Sequence, residues 1–273
     1  MAYWGEPILV EDLLFRPEHS LIDQSLHSRL GETTTNGDGF GIGWYGEGAE
    51  PAVYKGIEPA WNDRNLREIA GQVRTSRLLA HVRASTGTAV QRSNCHPFRH
   101  DRWLWVHNGA LRGFPEIRRD LLMAVDPTLF SDIEGSTDTE ALFYLALTFG
   151  LADDPLGAVA RAVGFVEDVG HANGVEHPVQ MTVATTNGES LWVFRYSSER
   201  RSRSLFFSTR LSQLRALHPE VEVLRELGGE TRFVVSEPLR DLEGAWNEVP
   251  ESSVAVVGSG ADAIWPFLPI SPV

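Results

Sequence analysis

Residues 114–169 carry three helical patterns in succession, and short β-rich runs lie on both sides of them. That order constrains the fold more than any other feature. Strands alternating with single helices build parallel βαβ sheets, whereas strands, then helices, then strands build an α+β domain whose sheets are covered by helices. The helical patterns are Phe114–Val125, with Ile117, Leu121 and Leu122 on its apolar side, then Thr137–Phe149, then Pro155–Val169. Thr137-x-x-Glu140 reads as a capping box, with Leu142, Leu145, Ala146 and Phe149 as an inner face. After them come apolar, β-branched or aromatic runs that suit strands: Val179–Thr185, Leu191–Tyr196, Leu205–Ser208, Arg232–Ser236 and Val254–Val257. A short helix is expected over Arg210–Leu217, and irregular chain from Gly258.

The N-terminal side is more broken. Met1–Pro7 reads as an edge strand running into a turn at Gly5–Pro7, and Val10–Leu14 and Ser20–Leu30 as short helices, the second capped by Ser20 and ended by Gly31. Asn36-Gly37-Asp38-Gly39 is a turn signal, and the alternating glycines that follow predict a strand approached closely by another backbone. Gly41–Gly46 matches G-x-G-x-x-G but does not lie between a strand and a helix, so no dinucleotide site is expected. Ala52–Lys55 reads as a strand, and Asn62–Thr75 as a helix capped by Asn62. Trp192, Trp246 and Trp265 are expected in the core, the alternative being that they line an acceptor cleft. No repeat, low-complexity segment or linker interrupts the 273 residues, so 1–273 is read as one domain.

The net charge of −13 argues against nucleic acid as a partner, because phosphate binding needs a basic face. No apolar run approaches a membrane span, and the start shows no signal-peptide pattern. One cysteine permits no internal disulfide and fits a cytoplasmic protein. The nine histidines are taken to lack a metal-ligand spacing, so no metal is expected.

The chemistry gathers between Leu78 and Leu111. Two apolar runs, Leu78–Val82 and Trp103–Val106, each end abruptly in polar residues. The first delivers Arg83, Ser85, Thr86 and Gly87; the second delivers His107, Asn108 and Gly109. Arg83 is either a surface ion-pair partner or a guanidinium fork for a carboxylate. Asn108-Gly109 taken alone is explained by a tight turn; its functional reading is an oxyanion hole. Asp138 in the first turn of its helix suits the helix dipole, or else receives an ammonium group. Together, Arg83 and Asp138 match the two charged ends of a free amino acid. Cys95 and His96 are adjacent, and on an extended chain they face opposite ways, so a nucleophile pair is disfavoured.

Six segments in this order resemble the class II glutamine amidotransferases: AYWGEP at the start, NGDGFGIGWY at 36–45, AHVRASTG at 80–87, NCHPF at 94–98, WVHNGAL at 105–111 and STDTE at 136–140. The resemblance is closest to the stand-alone, single-domain members. It implies a four-layer αββα sandwich of two mainly antiparallel sheets covered by helices, and no cofactor. It assigns the glutamine α-carboxylate to Arg83 with Thr86 beside it, the α-ammonium to Asp138, and the oxyanion hole to Asn108 and Gly109. Asn36–Gly39 and Asn94–Phe98 would shape the walls. Glutamine or another γ-glutamyl compound is the implied substrate, with a separate synthase partner if ammonia is passed on. The family pattern begins Met-Cys-Arg-Trp-x-Ala-Tyr, whereas this chain begins Met1-Ala2-Tyr3. The catalytic cysteine is therefore expected upstream of Met1, and the chain as written is expected to be nearly inactive. The alternative is a non-catalytic module that binds glutamine or glutamate.

Overall fold

A computed structural model describes every residue except Glu32, Thr86, Glu222, 259–261 and Val273. In chain order the strands are β1 (Ala2–Leu9), β2 (Phe40–Trp44), β3 (Ala52–Gly56), β4 (Arg74–Val82), β5 (Phe98–His100), β6 (Trp103–Leu111) and β7 (Val179–Thr186). They continue with β8 (Leu191–Ser197), β9 (Phe206–Ser208), β10 (Arg232–Val235), β11 (Trp246–Glu248), β12 (Ser253–Val257) and β13 (Ala263–Pro266). The helices are α1 (Val10–Leu14), α2 (Leu21–Leu26), α3 (Arg64–Ala70), α4 (Phe114–Met123), α5 (Pro127–Phe130), α6 (Asp138–Thr148), α7 (Pro155–Ala172), α8 (Leu211–Leu217) and α9 (Val223–Glu226). Among the described residues, no helix is long and apolar enough to cross a membrane.

The strands form two antiparallel sheets. One has the order β11-β9-β10-β1-β4-β2-β3, the other β13-β12-β8-β7-β6-β5. Side-chain alternation sorts each strand between two layers. Ala2 and Trp4 of β1, Leu79 of β4, Leu104 and Val106 of β6, and Leu191 and Val193 of β8 pack together between the sheets. The intervening Tyr3, Leu78 and Ala80 pack instead with Leu13, Leu21 and Leu66 from α1–α3. On the other side, Trp103, Trp105, Met181 and Phe194 meet Ile117 of α4, Leu142 of α6 and Val163 of α7. The result is helices, sheet, sheet, helices, as the resemblance implied.

Several local expectations need correction. β1 is a central strand between β10 and β4, and it runs through Gly5–Pro7 to Leu9 with an irregularity between Trp4 and Ile8. The second helix stops at Leu26; Ser20 caps it in a capping box completed by Asp23. Asp63, rather than Asn62, caps α3 by accepting from the Leu66 N–H at 2.7 Å, and β4 already begins at Arg74. Thr137 accepts from the Glu140 N–H, yet the Glu140 carboxylate turns away to the Glu134 and Gly135 N–H groups, so only half of that capping box forms. α6 is buried from Thr139 to Ala146 on all sides, because α4 and α7 cover the face that the sheet does not. The tail contains β13, and Trp265 on it is 46% exposed rather than in the core. Trp192 is half-buried against the core, its ring tilted beside that of Trp103, and Trp246 donates its indole N–H to the Arg240 carbonyl.

The glycines of β2 behave as expected. A Cβ at Gly41 would overlap the His96 carbonyl oxygen, and one at Gly43 would crowd Leu104 and Pro97. Gly46, just beyond the strand, has nothing within 4 Å of the same position. Gly41→Ala should therefore lower stability by about 1–3 kcal/mol, the usual cost of overpacking. Gly46→Ala should leave the urea midpoint essentially unchanged.

Candidate active site

A cavity of about 230 Å³ opens where β1, β4 and β10 of one sheet end against β6 and β7 of the other. Met1, His81, Arg83, Asn108, Gly109 and Asp138 line it, and Ser28, Gly31, Thr33 and Asn36 of the segment after α2 border it. The separate pieces expected from sequence thus meet in one place, except Thr86, which lies outside the described residues.

Arg83 leaves the end of β4 on the inner face, two residues after His81 and four after the buried Leu79. It is not a surface residue: it is 5% exposed. Its Nη1 donates to the Asp38 carbonyl oxygen at 3.3 Å, and its Nη2 to Ser85 Oγ at 3.2 Å and Thr88 Oγ1 at 2.5 Å. Asp38 in turn accepts the Ser85 N–H at 2.7 Å and donates its own N–H to the Arg83 carbonyl at 2.9 Å. The 36–39 segment is therefore the clamp that orients the guanidinium, a role that its turn signal alone does not announce.

Asn108 and Gly109 form no turn. β6 continues to Leu111, with Asn108 opposite Thr182 and Gly109 opposite Met181 on β7. The turn reading fails because long-range pairing with β7 overrides local preference. A Cβ at Gly109 would overlap the Gln180 carbonyl oxygen, so the close strand approach accounts for the glycine. The Asn108 side-chain amide has no hydrogen-bond partner among the described residues and borders the cavity.

Asp138 opens α6. Its Oδ1 accepts the Thr139 N–H at 2.8 Å and its Oδ2 accepts the Leu111 N–H at 2.7 Å. It thus ties the helix start to the end of β6. The Thr139 hydroxyl also lies 3.4 Å from Oδ1; a carboxylate has roughly four acceptor sites, so Asp138 can still receive a further donor from the cavity.

Three histidines stand behind these groups: His96 and His107, which the sequence reading named without giving them a place here, and His81, which it did not single out. His81 and His96 stack with ring centroids 4.2 Å apart, and the His107 N–H donates to His96 Nδ1 at 3.5 Å. His107 reaches Thr139 Oγ1 at 2.8 Å and the Gln180 carbonyl at 3.3 Å, so Nε2 carries its proton and Nδ1 accepts from the threonine. Burial holds His96 and His107 below the usual imidazole range and lowers His81 to about 3. His81 was recoverable from the sequence as the residue two before Arg83 on the same strand face. The expectation that no two histidines share a metal-ligand spacing is wrong for His96 and His100, which stand four apart. His100 lies instead beside Asp132 and Tyr144, and among the described residues no group of three His, Cys, Asp or Glu could hold a metal.

The Met1 α-amine donates to the Ala80 carbonyl at 2.8 Å, and burial lowers it to about 5. Cys95 is fully buried; its thiol points to the Gly56 carbonyl, and burial pushes it above the ordinary thiol range. Asn94, also buried, accepts the Ser136 N–H at 2.9 Å and so joins the 94–98 segment to the start of α6.

Two facing antiparallel sheets between helix layers are the sandwich of the N-terminal-nucleophile glutamine amidotransferases. The fold is similar to that of the glutamine aminotransferase class-II domain protein from Silicibacter pomeroyi, with a TM-score of 0.76 and 32% identity over 99% of this chain and 98% of that one. It also resembles the glutamine phosphoribosylpyrophosphate amidotransferase of B. subtilis in fold, at a TM-score of 0.59 and 17% identity, covering 97% of this chain and 48% of that one. Residues 18–265 match the family model of the class-II glutamine amidotransferases. The chain belongs to that family. It is 34% identical to "Probable glutamine amidotransferase DUG3" of Saccharomyces cerevisiae, across 96% of this chain and 82% of that protein. It is 28% identical to the gamma-glutamyl-hercynylcysteine sulfoxide hydrolase of Mycolicibacterium smegmatis, across 71% of this chain and 80% of that one.

The neutral histidines make the fold acid-sensitive in a defined window. An unfolded histidine takes up a proton near pH 6.5, whereas folded His81 does so only at about 3. The unfolded state then holds the extra proton, so stability falls as pH drops from about 6.5 toward 3, by roughly 1.4 kcal/mol per pH unit for one such group. Thermal melts from pH 7 to pH 5 should show a falling midpoint, and His81→Gln should fall less steeply. An unchanged slope in the variant would remove His81 from this account.

Proposed function

We propose that this site hydrolyses γ-glutamyl amides through a γ-glutamyl thioester on a cysteine three residues ahead of Met1. The observation that carries the reading is a strand-shaped slot. Met1 and Ala80 exchange both backbone hydrogen bonds, which extends the β1–β4 register to that pair. Beyond Met1 the cavity is flanked by His81, Val82 and Arg83 on one side and by Val235, Ser236 and Glu237 on the other. Three further residues of β1 would span about 10 Å of this slot and bring the third opposite Arg83.

Alternation of side chains then decides where each would point. Ala2 faces between the sheets and Met1 faces α1–α3. A residue just before Met1 would face inward, toward the apolar Val106, Ala184, Leu205 and Val234 that line the cavity. That wall suits the tryptophan of the family pattern and has no use in holding glutamine. The cysteine, two positions earlier, would also face inward, toward β6.

In this reading, Arg83 holds the α-carboxylate and Asp138 the α-ammonium of the γ-glutamyl group. The thiolate attacks the side-chain carbonyl carbon, and the Asn108 amide with the Gly109 N–H holds the oxyanion. The C–N bond breaks, the leaving nitrogen takes a proton from the α-ammonium of the cysteine, and water then releases glutamate from the thioester. The relatives named for glutamine and for γ-glutamyl-hercynylcysteine sulfoxide support the γ-glutamyl group as the common element.

The test compares this chain with one extended to begin Met-Cys-Arg-Trp, assayed for glutamate release from glutamine and glutathione. The extended chain should turn over and this one should be slower by about a millionfold, the scale of losing a covalent nucleophile. In the extended chain, Asn108→Ala should lower kcat by about 10²–10³-fold. Activity in the chain as it stands would overturn the mechanism. Silence of both chains with glutamine binding retained, and lost in Arg83→Ala by titration calorimetry, would favour the non-catalytic binding module.

A further inference from the structure

His107 precedes Asn108 on β6, so its side chain leaves the other face of the strand and meets the start of α6. It is 2% exposed and ties three elements together. Its Nδ1 lies 2.8 Å from Thr139 Oγ1, and its Nε2 donates to the Gln180 carbonyl of β7 at 3.3 Å. A Cβ at Gly109 would stand 2.6 Å from the same Nε2, so the ring packs beneath the Gly109 backbone. Thr139 is buried as well, and its single hydroxyl proton has two acceptors in reach: His107 Nδ1 and, at 3.4 Å, Asp138 Oδ1. Only one of them can take it. The Nε2–H bond to Gln180 fixes the tautomer, which leaves Nδ1 as the acceptor, and the proton goes to this shorter contact. Asp138 Oδ1 then receives the Thr139 N–H and keeps its remaining acceptor capacity for the cavity.

An imidazolium reverses this arrangement. Both ring nitrogens then donate, Thr139 Oγ1 accepts from Nδ1, and its own proton turns to Asp138 Oδ1. The carboxylate is then engaged from behind, and a positive charge stands close to where an ammonium would sit. Asp138 favours the charged ring, while burial and the charge of Arg203 oppose it. His81 of β4 and His96 also face the ring and bring further charge only when they ionise; Arg83 and the Met1 amine lie on the far side of His81. Resting on the γ-glutamyl reading above, we infer that His107 and Thr139 are positioning residues for the ammonium site: the neutral ring draws the Thr139 proton to itself and so keeps Asp138 open to the α-ammonium of the substrate.

Glutamine binding to the chain as it stands tests this by titration calorimetry, with a thermal melt of each variant to check its fold. His107→Leu removes the acceptor and sends the Thr139 proton to Asp138, so at pH 7 it should weaken glutamine by about tenfold, the scale of one hydrogen bond to a charged group. His107→Asn keeps an acceptor near the Nδ1 position and should restore most of the affinity. Adding Thr139→Val to His107→Leu removes the competing hydroxyl and should also restore it, whereas damage to the fold would accumulate. From pH 7 to pH 5 the wild-type affinity should fall further than that of His107→Asn; the Met1 amine, which also takes up a proton at about 5, contributes to both alike. A double variant no tighter than His107→Leu, or a His107→Asn curve parallel to that of the wild type, would overturn the assignment while leaving the γ-glutamyl reading intact. If glutamine does not bind the wild type, or binds Asp138→Asn unchanged, the γ-glutamyl reading itself falls and this inference falls with it.

Discussion

The pairing of β1 with β4 is the interaction on which the site depends. It places the start of the chain in the middle of a seven-stranded sheet, with β10 on its other side. Because β4 runs on past the Met1–Ala80 pair while β2 holds its other edge as far as Val82, its end projects His81 and Arg83 over the cavity. The opposing wall comes from β6, whose inner face turns from Leu104 and Val106, both core, to Asn108. One sheet supplies a fixed cation and the other an amide, and the start of α6 closes the third side with Asp138. Each group is held by a packed element: Arg83 directly follows β4, Asn108 is paired within β6 and Asp138 opens α6.

Much of this was legible in the sequence because local pattern and global fold agree there. α7 carries a clear apolar period, Thr137 caps α6, and the strand runs of the second half fall close to where β-branched content put them. Where the two levels disagree, long-range pairing wins. Gly5-Glu6-Pro7 has turn chemistry, yet β4 holds the chain extended on the far side of it and Tyr3 donates its hydroxyl to the Glu6 carbonyl. Asn108-Gly109 has turn chemistry too, and β7 holds it straight. No local signal could have said that these segments would acquire a neighbour on each side.

The site was legible by the same measure. Arg83 and Asp138 stand at the end or start of a well-patterned element and Asn108 just past the apolar run of β6, so their place along the chain could be read. Arg203, on the segment between β8 and β9, also lines the cavity but could not be found that way, because Arg200-Arg201-Ser202-Arg203 reads as a solvated loop. The clamp of Asp38 on Ser85 and Arg83 was equally hidden, since it joins two irregular segments about 45 residues apart that share no periodicity.

The central position of β1 also has a meaning in time. Ala2 pairs with Leu79 on one edge and with Val234 on the other, more than two hundred residues downstream. Contacts of such separation form slowly, because a long loop must be closed before they return any stabilisation. During synthesis the first strand made is therefore among the last to be enclosed. Until β10 has left the ribosome, one edge of β1 is an open strand edge, able to pair with whatever strand it meets.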